Sequence, residues 1–137
     1  MAHPVPSAVS LDDSVVLVRR YVDALNAGDL AALDELFADD FVLHQPSGDR
    51  RGKAAMRAFV AGVRRLLPDI DARIEAVVAD DAFADGDRVG VLLVYDATNA
   101  RLGRRVTVRE LQLYRVVDGQ IAERWYAADR RAARGDA

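Results

Sequence analysis

The stretch "VTVRELQLYRVVDGQIAERWYAAD", residues 106 to 129, holds the side chains of this chain best suited to chemistry. Glu110 could take or give a proton, and Asp129 offers a second carboxylate. Gln112 and Tyr126 could donate hydrogen bonds to an oxyanion as it forms. Such a set suits proton abstraction beside a carbonyl, or general acid catalysis. A carboxylate walled by apolar groups is costly to keep charged, which suits it to proton exchange. His44, in "FVLHQP", adds a group that titrates near neutrality, a candidate proton shuttle or hydrogen-bond donor to substrate.

Other chemistries find no residues. With no cysteine there are no disulfides, thiolate nucleophiles or thiolate metal sites. No serine stands in a G-x-S-x-G turn. The two histidines, one of them His3 near the start, do not make a histidine-rich metal site. "SGDRRGK" lacks the spacing of a phosphate-binding loop and reads as an ordinary loop. No cofactor is expected.

The candidate residues sit on strands, and strand side chains alternate between faces. Val106, Val108, Glu110, Gln112 and Tyr114 share one side of the first strand, and Thr107, Arg109, Leu111, Leu113 and Arg115 the other. Neither set is cleanly apolar, so periodicity alone leaves the pocket face open. On the partner strand Ala122, Arg124 and Tyr126 oppose Ile121, Glu123 and Trp125. Asp118-Gly119 between them is a hairpin signal. A one-residue slip there would set Tyr126 opposite Leu111 or opposite Gln112. Glu110 accordingly has an alternative place on the outer face, paired with an arginine at a subunit contact.

The elements before the hairpin are helical. "LDDSVVLVRRYVDALNAGD" repeats Val15, Val18, Val22 and Leu25 at helical spacing, with Gly28 to end it. Asp29 can cap a short helix through "LAALDELFA", where Leu30, Leu33 and Phe37 share a face. "DFVLHQP" reads as extended. A third helix runs from Lys53 to Leu67, with Met56, Phe59, Val63 and Leu67 on its buried side and Pro68 as its stop. "DARIEAVVA", "DRVGVLLVYDA", "RRVTVRELQLYRVV" and "QIAERWY" then read as strands. Helices followed by an antiparallel meander make an α+β fold, its helices on one face of a strongly curved sheet that encloses a pocket.

The chain is 137 residues long, which suits a single domain over residues 11–130, with a loose leader at 1–10 and a polar tail at 131–137. A net charge of −3 gives no nucleic-acid footprint. No apolar run approaches the roughly 20 residues of a membrane span. The start, "MAHPVPSAVS", has no secretory pattern, so a cytoplasmic location is expected.

Together "YVDALNAGDLAALDELFADDFVLHQP", "GKAAMRAF", "LPDIDARIEAVVADD" and "YRVVDGQIAERW" resemble the SnoaL-like proteins of the nuclear transport factor 2-like superfamily. The resemblance spans roughly residues 14 to 129. It implies a cone-shaped α+β barrel with a deep pocket for a small apolar organic substrate, commonly in a homodimer formed through the outer sheet face. Members include polyketide cyclases, steroid isomerases and epoxide hydrolases, and others only bind a ligand. The resemblance implies an acidic catalytic residue just after Trp125, where this chain has Tyr126, and often His or Asp where it has Gln112. Both departures remove an ionisable group.

With Tyr126 turned inward, Glu110, Gln112 and Tyr114 turn inward too, and Glu110 becomes the replacement acid. The expected catalytic set is Glu110 or Asp129 as base, His44 as shuttle and Tyr126 as donor. Tyr21, Gln112, Tyr114, Phe59 and Trp125 are the expected substrate contacts. Core packing is the alternative for Tyr21, and core or subunit contact for Trp125. The leading function is a cofactor-free cyclase or isomerase of apolar carbonyl compounds. A non-catalytic pocket for a hydrophobic metabolite is second, and an epoxide hydrolase with Arg109 or Arg124 as guanidinium is third.

Overall fold

The computed structural model describes residues 11–128, so the expected leader, the polar tail and Asp129 lie outside the described residues. Helix α1 (Leu11–Ala27) turns Leu17, Val18, Tyr21, Val22 and Leu25 into the core. It ends at Gly28, whose φ of 67° is a left-handed conformation glycine adopts without strain. Asp29 caps helix α2 (Leu30–Leu36) by accepting from the Ala32 N–H.

The second helix stops earlier than its apolar spacing suggests. Phe37 is extended (φ −107°, ψ 141°) and opens strand β1 (Phe37–Gln45). Its ring sits edge-on between Tyr21, at 5.5 Å, and Phe41, at 4.7 Å. Aromatic packing overrides the local helical pattern there. Strand β2 (Gly48–Arg51) occupies the segment read as a loop and pairs antiparallel with β1. All four of its residues are exposed, so it carries no apolar alternation to announce a strand. Helix α3 (Lys53–Leu66) buries Met56 and Val60.

Strands β3 (Asp71–Asp80), β4 (Asp87–Asn99), β5 (Arg104–Val117) and β6 (Gln120–Ala128) form the expected antiparallel meander. The complete sheet has six strands in the order β2-β1-β6-β5-β4-β3. It corrects the sequence reading at one strand. Strand β1 joins β6 in parallel, so the sheet is mixed. The sheet is curved and unclosed, with β2 and β3 as its edges, and the helices pack over its inner face as expected. The helical layer covers the inner face, where Tyr21, Phe37, Phe41, Leu43 and Val108 form the core. Among the described residues no helix is long and apolar enough to cross a membrane.

Candidate functional site

The β5–β6 hairpin closes on Asp118 (φ 52°) and Gly119 (φ 73°), the paired positive dihedrals of a type I′ turn. Val117 pairs with Gln120, and an unbroken ladder from there would set Tyr126 opposite Leu111. A bulge intervenes: Val116 pairs with Ile121, but Arg115 pairs with Glu123, so Ala122 is the extra residue. Beyond it Tyr114 faces Arg124, Gln112 faces Tyr126 and Glu110 faces Ala128. The extra residue brings the polar groups of both strands to the same, inner face.

Those groups line a cavity of about 220 Å³ between α1, α3 and the sheet. It exceeds the roughly 150 Å³ engineered cavity known to admit benzene. Leu25, Val63, Leu67, Ile70 and Leu93 make most of its wall apolar, and Glu110, Gln112, Arg124 and the tyrosines Tyr21, Tyr95 and Tyr126 are its polar residues.

A ladder of hydrogen bonds orders the polar side. The Tyr114 hydroxyl donates to Gln112 Oε1, and Gln112 Nε2 donates to Glu110 Oε1 at 2.9 Å. Arg124 Nη2 reaches the same Glu110 oxygen at 3.3 Å, and its Nε lies 3.4 Å from the Tyr114 hydroxyl. Both donors to Glu110 meet Oε1, and Oε2 accepts from neither of them. The Arg124 guanidinium also sits among four rings, 4.8 Å from Tyr126, 5.2 Å from Phe59, 5.7 Å from Tyr21 and 5.8 Å from Tyr114. Distances of that order allow cation–π attraction. Burial works against its charge, but the Glu110 carboxylate and the hydrogen bond to the Tyr114 hydroxyl favour it, and the guanidinium stays protonated. Burial likewise pushes up the phenols of Tyr21, Tyr95 and Tyr114, which keeps them as neutral donors.

Glu110, Gln112, Tyr126, Tyr21 and Phe59 are thus brought together around the cavity. Tyr114 stands one layer behind, fully buried, and supports Gln112 rather than lining the space. His44 and Trp125 are not brought there, which corrects their expected places. They pair across β1 and β6 on the opposite sheet face, with rings stacked at 4.7 Å. His44 bonds Glu123 Oε2 at 2.7 Å and Asp49 Oδ1 at 2.9 Å, and Arg115 Nε donates to the other Glu123 oxygen at 2.6 Å. Trp125 cannot share a face with Tyr126, because the two are consecutive on one strand.

Two site residues escaped the sequence reading. Arg124 was placed only as one possible guanidinium for epoxide opening, although its alternation with Tyr126 already puts both on one face. Tyr95 follows from the same rule applied to Leu93 on β4. Arg109 points outward and makes an exposed contact with Glu75 at 3.8 Å. Glu110 is also not the isolated carboxylate expected of an apolar cone, since Arg124 balances its charge.

A helical layer over a curved, unclosed sheet, with a mostly apolar cavity between them, is the fold of the nuclear transport factor 2-like class of α+β proteins. Within that class, the sequence profile of the SnoaL-like domain matches residues 18–124, and the chain belongs to that family. It is similar to IdmH of Streptomyces antibioticus, a proposed polyketide cyclase, at 25% identity and a TM-score of 0.72, covering 86% of this chain and 93% of that one. A SnoaL-like polyketide cyclase of Agrobacterium tumefaciens strain C58 shares 23% identity, with 85% and 91% covered and a TM-score of 0.72. TsrD of Streptomyces laurentii, at 18% identity, covers 93% and 96% with a TM-score of 0.79. The last two likenesses speak to the fold alone.

Proposed function

We propose that this protein is a cofactor-free cyclase or isomerase that performs acid–base chemistry on a polyketide-like or other apolar carbonyl compound. The observation that carries the reading is Glu110, a carboxylate only 8% exposed, set in the wall of a mostly apolar cavity. Its Oε2 takes a proton from the carbon beside the carbonyl, and the Tyr126 hydroxyl, across the ladder from Gln112, donates to the oxygen that gains charge. The polyketide-cyclase designation of IdmH supports the same class of chemistry.

The test is turnover of a panel of polyketide-like ketones. Glu110→Gln should lower the rate by about 10²–10⁴-fold, the usual worth of a positioned acid–base group. Tyr126→Phe should lower it less. Full turnover by Glu110→Gln would remove Glu110 from the mechanism.

A second reading, a pocket that binds a hydrophobic metabolite unchanged, draws on the pairing of Glu110 with both Gln112 and Arg124, the arrangement of a satisfied buried group. A ligand recovered chemically intact after prolonged incubation favours it. Epoxide opening needs a second acid beside Arg124, and among the described residues Glu110 is the carboxylate of the cavity wall.

We also propose a homodimer formed through the outer sheet face, where Val78, Leu111 and Leu113 are exposed beside Trp125.

A further inference from the structure

The sharpest anomaly in the molecule is one nitrogen. Among the described residues, Nη1 of Arg124 is a fully buried side-chain donor with no hydrogen-bond acceptor. The other nitrogens of the same guanidinium are engaged, Nη2 by Glu110 and Nε near Tyr114. A buried cationic donor without an acceptor is costly, and native structures rarely leave one unexplained. Arg124 borders the cavity, and so do Phe59 and Tyr126, two of the rings that screen its guanidinium. A ligand in the cavity therefore lies beside the side chain that carries Nη1.

The charges around the cavity restrict what that ligand can be. Glu110 and Arg124 already form a balanced pair, 2% and 10% exposed at Arg124 and Glu110 respectively. An anionic ligand would add an uncompensated charge inside a mostly apolar wall, a heavily penalised state. A neutral carbonyl adds none. We infer that Arg124 Nη1 is a second donor to the ligand's carbonyl oxygen, beside the Tyr126 hydroxyl, and that the cavity selects uncharged ketones over carboxylates of the same shape.

The proton step, which rests on the acid–base reading above, then keeps the site balanced throughout. The C–H bond beside the carbonyl breaks and its proton passes to Glu110 Oε2. The released electron pair forms the enolate double bond, and the negative charge moves to the oxygen held by Arg124. Net charge in the cavity does not change. Return of that proton from Glu110 to a different carbon completes an isomerisation; in a ring closure the enolate carbon bonds to a second carbonyl carbon, the π pair of that carbonyl moves to its oxygen, and this alkoxide takes the proton back from Glu110.

Three bicyclic probes of nearly one shape test this: 2-tetralone, which is neutral and enolisable, tetralin, which lacks the oxygen, and 2-naphthoate, which is anionic. Calorimetry on the full chain should show 2-tetralone binding at least tenfold more tightly than either of the others. In Arg124→Lys, with its fold checked by circular dichroism, 2-tetralone should lose that advantage while tetralin binds as before. Equal or absent binding of the three, or a preference for 2-naphthoate, overturns the inference on the wild-type protein alone, even if the variant fails to fold. A folded Arg124→Lys that keeps the ketone preference overturns it as well.

Deuterium uptake beside the carbonyl of 2-tetralone, followed by NMR, separates this inference from the acid–base reading. Arg124-dependent ketone binding without accelerated exchange sustains the role of Arg124 and sinks the acid–base reading. Accelerated exchange that is lost in Glu110→Gln but kept, with full ketone affinity, in Arg124→Lys does the reverse.

Discussion

Arg124 shows how one side chain can decide the character of a site. It is 2% exposed, and Glu110 is the carboxylate that balances its charge. Removing one partner of such a pair leaves the other as an isolated buried ion, typically at a cost of about 3–5 kcal/mol. Arg124→Met should therefore destabilise the protein by roughly that amount. Adding Glu110→Gln should recover much of the loss, because the orphaned charge is then gone. Urea unfolding of wild type, both single variants and the double variant measures this, and additive losses would show that the pair is not coupled. The pairing was half legible in the sequence. Alternation placed Arg124 with Tyr126, but only the fold could say that a residue fourteen positions earlier would lie within bonding distance.

Among the secondary elements, the bulge at Ala122 matters most for the site, because it carries Tyr126 from Leu111 to Gln112. No residue type in "DGQIAERW" announces it. On the other sheet face, His44 ties β1 to Asp49 of β2 and Glu123 of β6, with Arg115 of β5 holding Glu123 in turn. Partial burial lowers the affinity of His44 for a proton, but its bonds to Glu123 and Asp49 outweigh this and raise its pKa. A raised folded-state pKa stabilises the protein fully below the unfolded value of about 6.5, and the contribution is lost as pH rises through the folded value. Wild type should thus lose melting temperature from about pH 6 to pH 8 relative to His44→Gln. Parallel melting curves for the two proteins across that window would show that the cluster does not link folding to this proton. At the acid end the sign reverses. Asp96, held by Thr107 and Arg73, has a lowered pKa, so its contribution is lost as pH falls through that value, below about 3.8.

At the scale of the whole molecule, the sheet has two unlike faces. The inner one is covered by helices, whereas the outer one exposes Val78 (73%) and Leu111 (63%) along with Leu113. A clustered apolar surface of this kind marks an interaction site more often than chance. Under the dimer proposal, Leu111→Glu with Leu113→Glu should convert a dimer to a folded monomer, read by light scattering after gel filtration. A monomeric wild-type chain would end that proposal.

The sequence by itself determined the kind and order of most elements, since helical spacing, strand alternation and the Asp118-Gly119 turn are local properties written in neighbouring residues. The likeness to a known family, carried by motifs along the chain, identified the class of fold. Tertiary structure alone decided the parallel joining of β1 to β6, the extended Phe37, the strand nature of "GDRR", and the sorting of His44 and Trp125 away from Glu110. Each depends on which distant segments meet. Whether a polar side chain on a mixed strand faces a cavity or solvent is set by register, and here one extra residue in β6 set it.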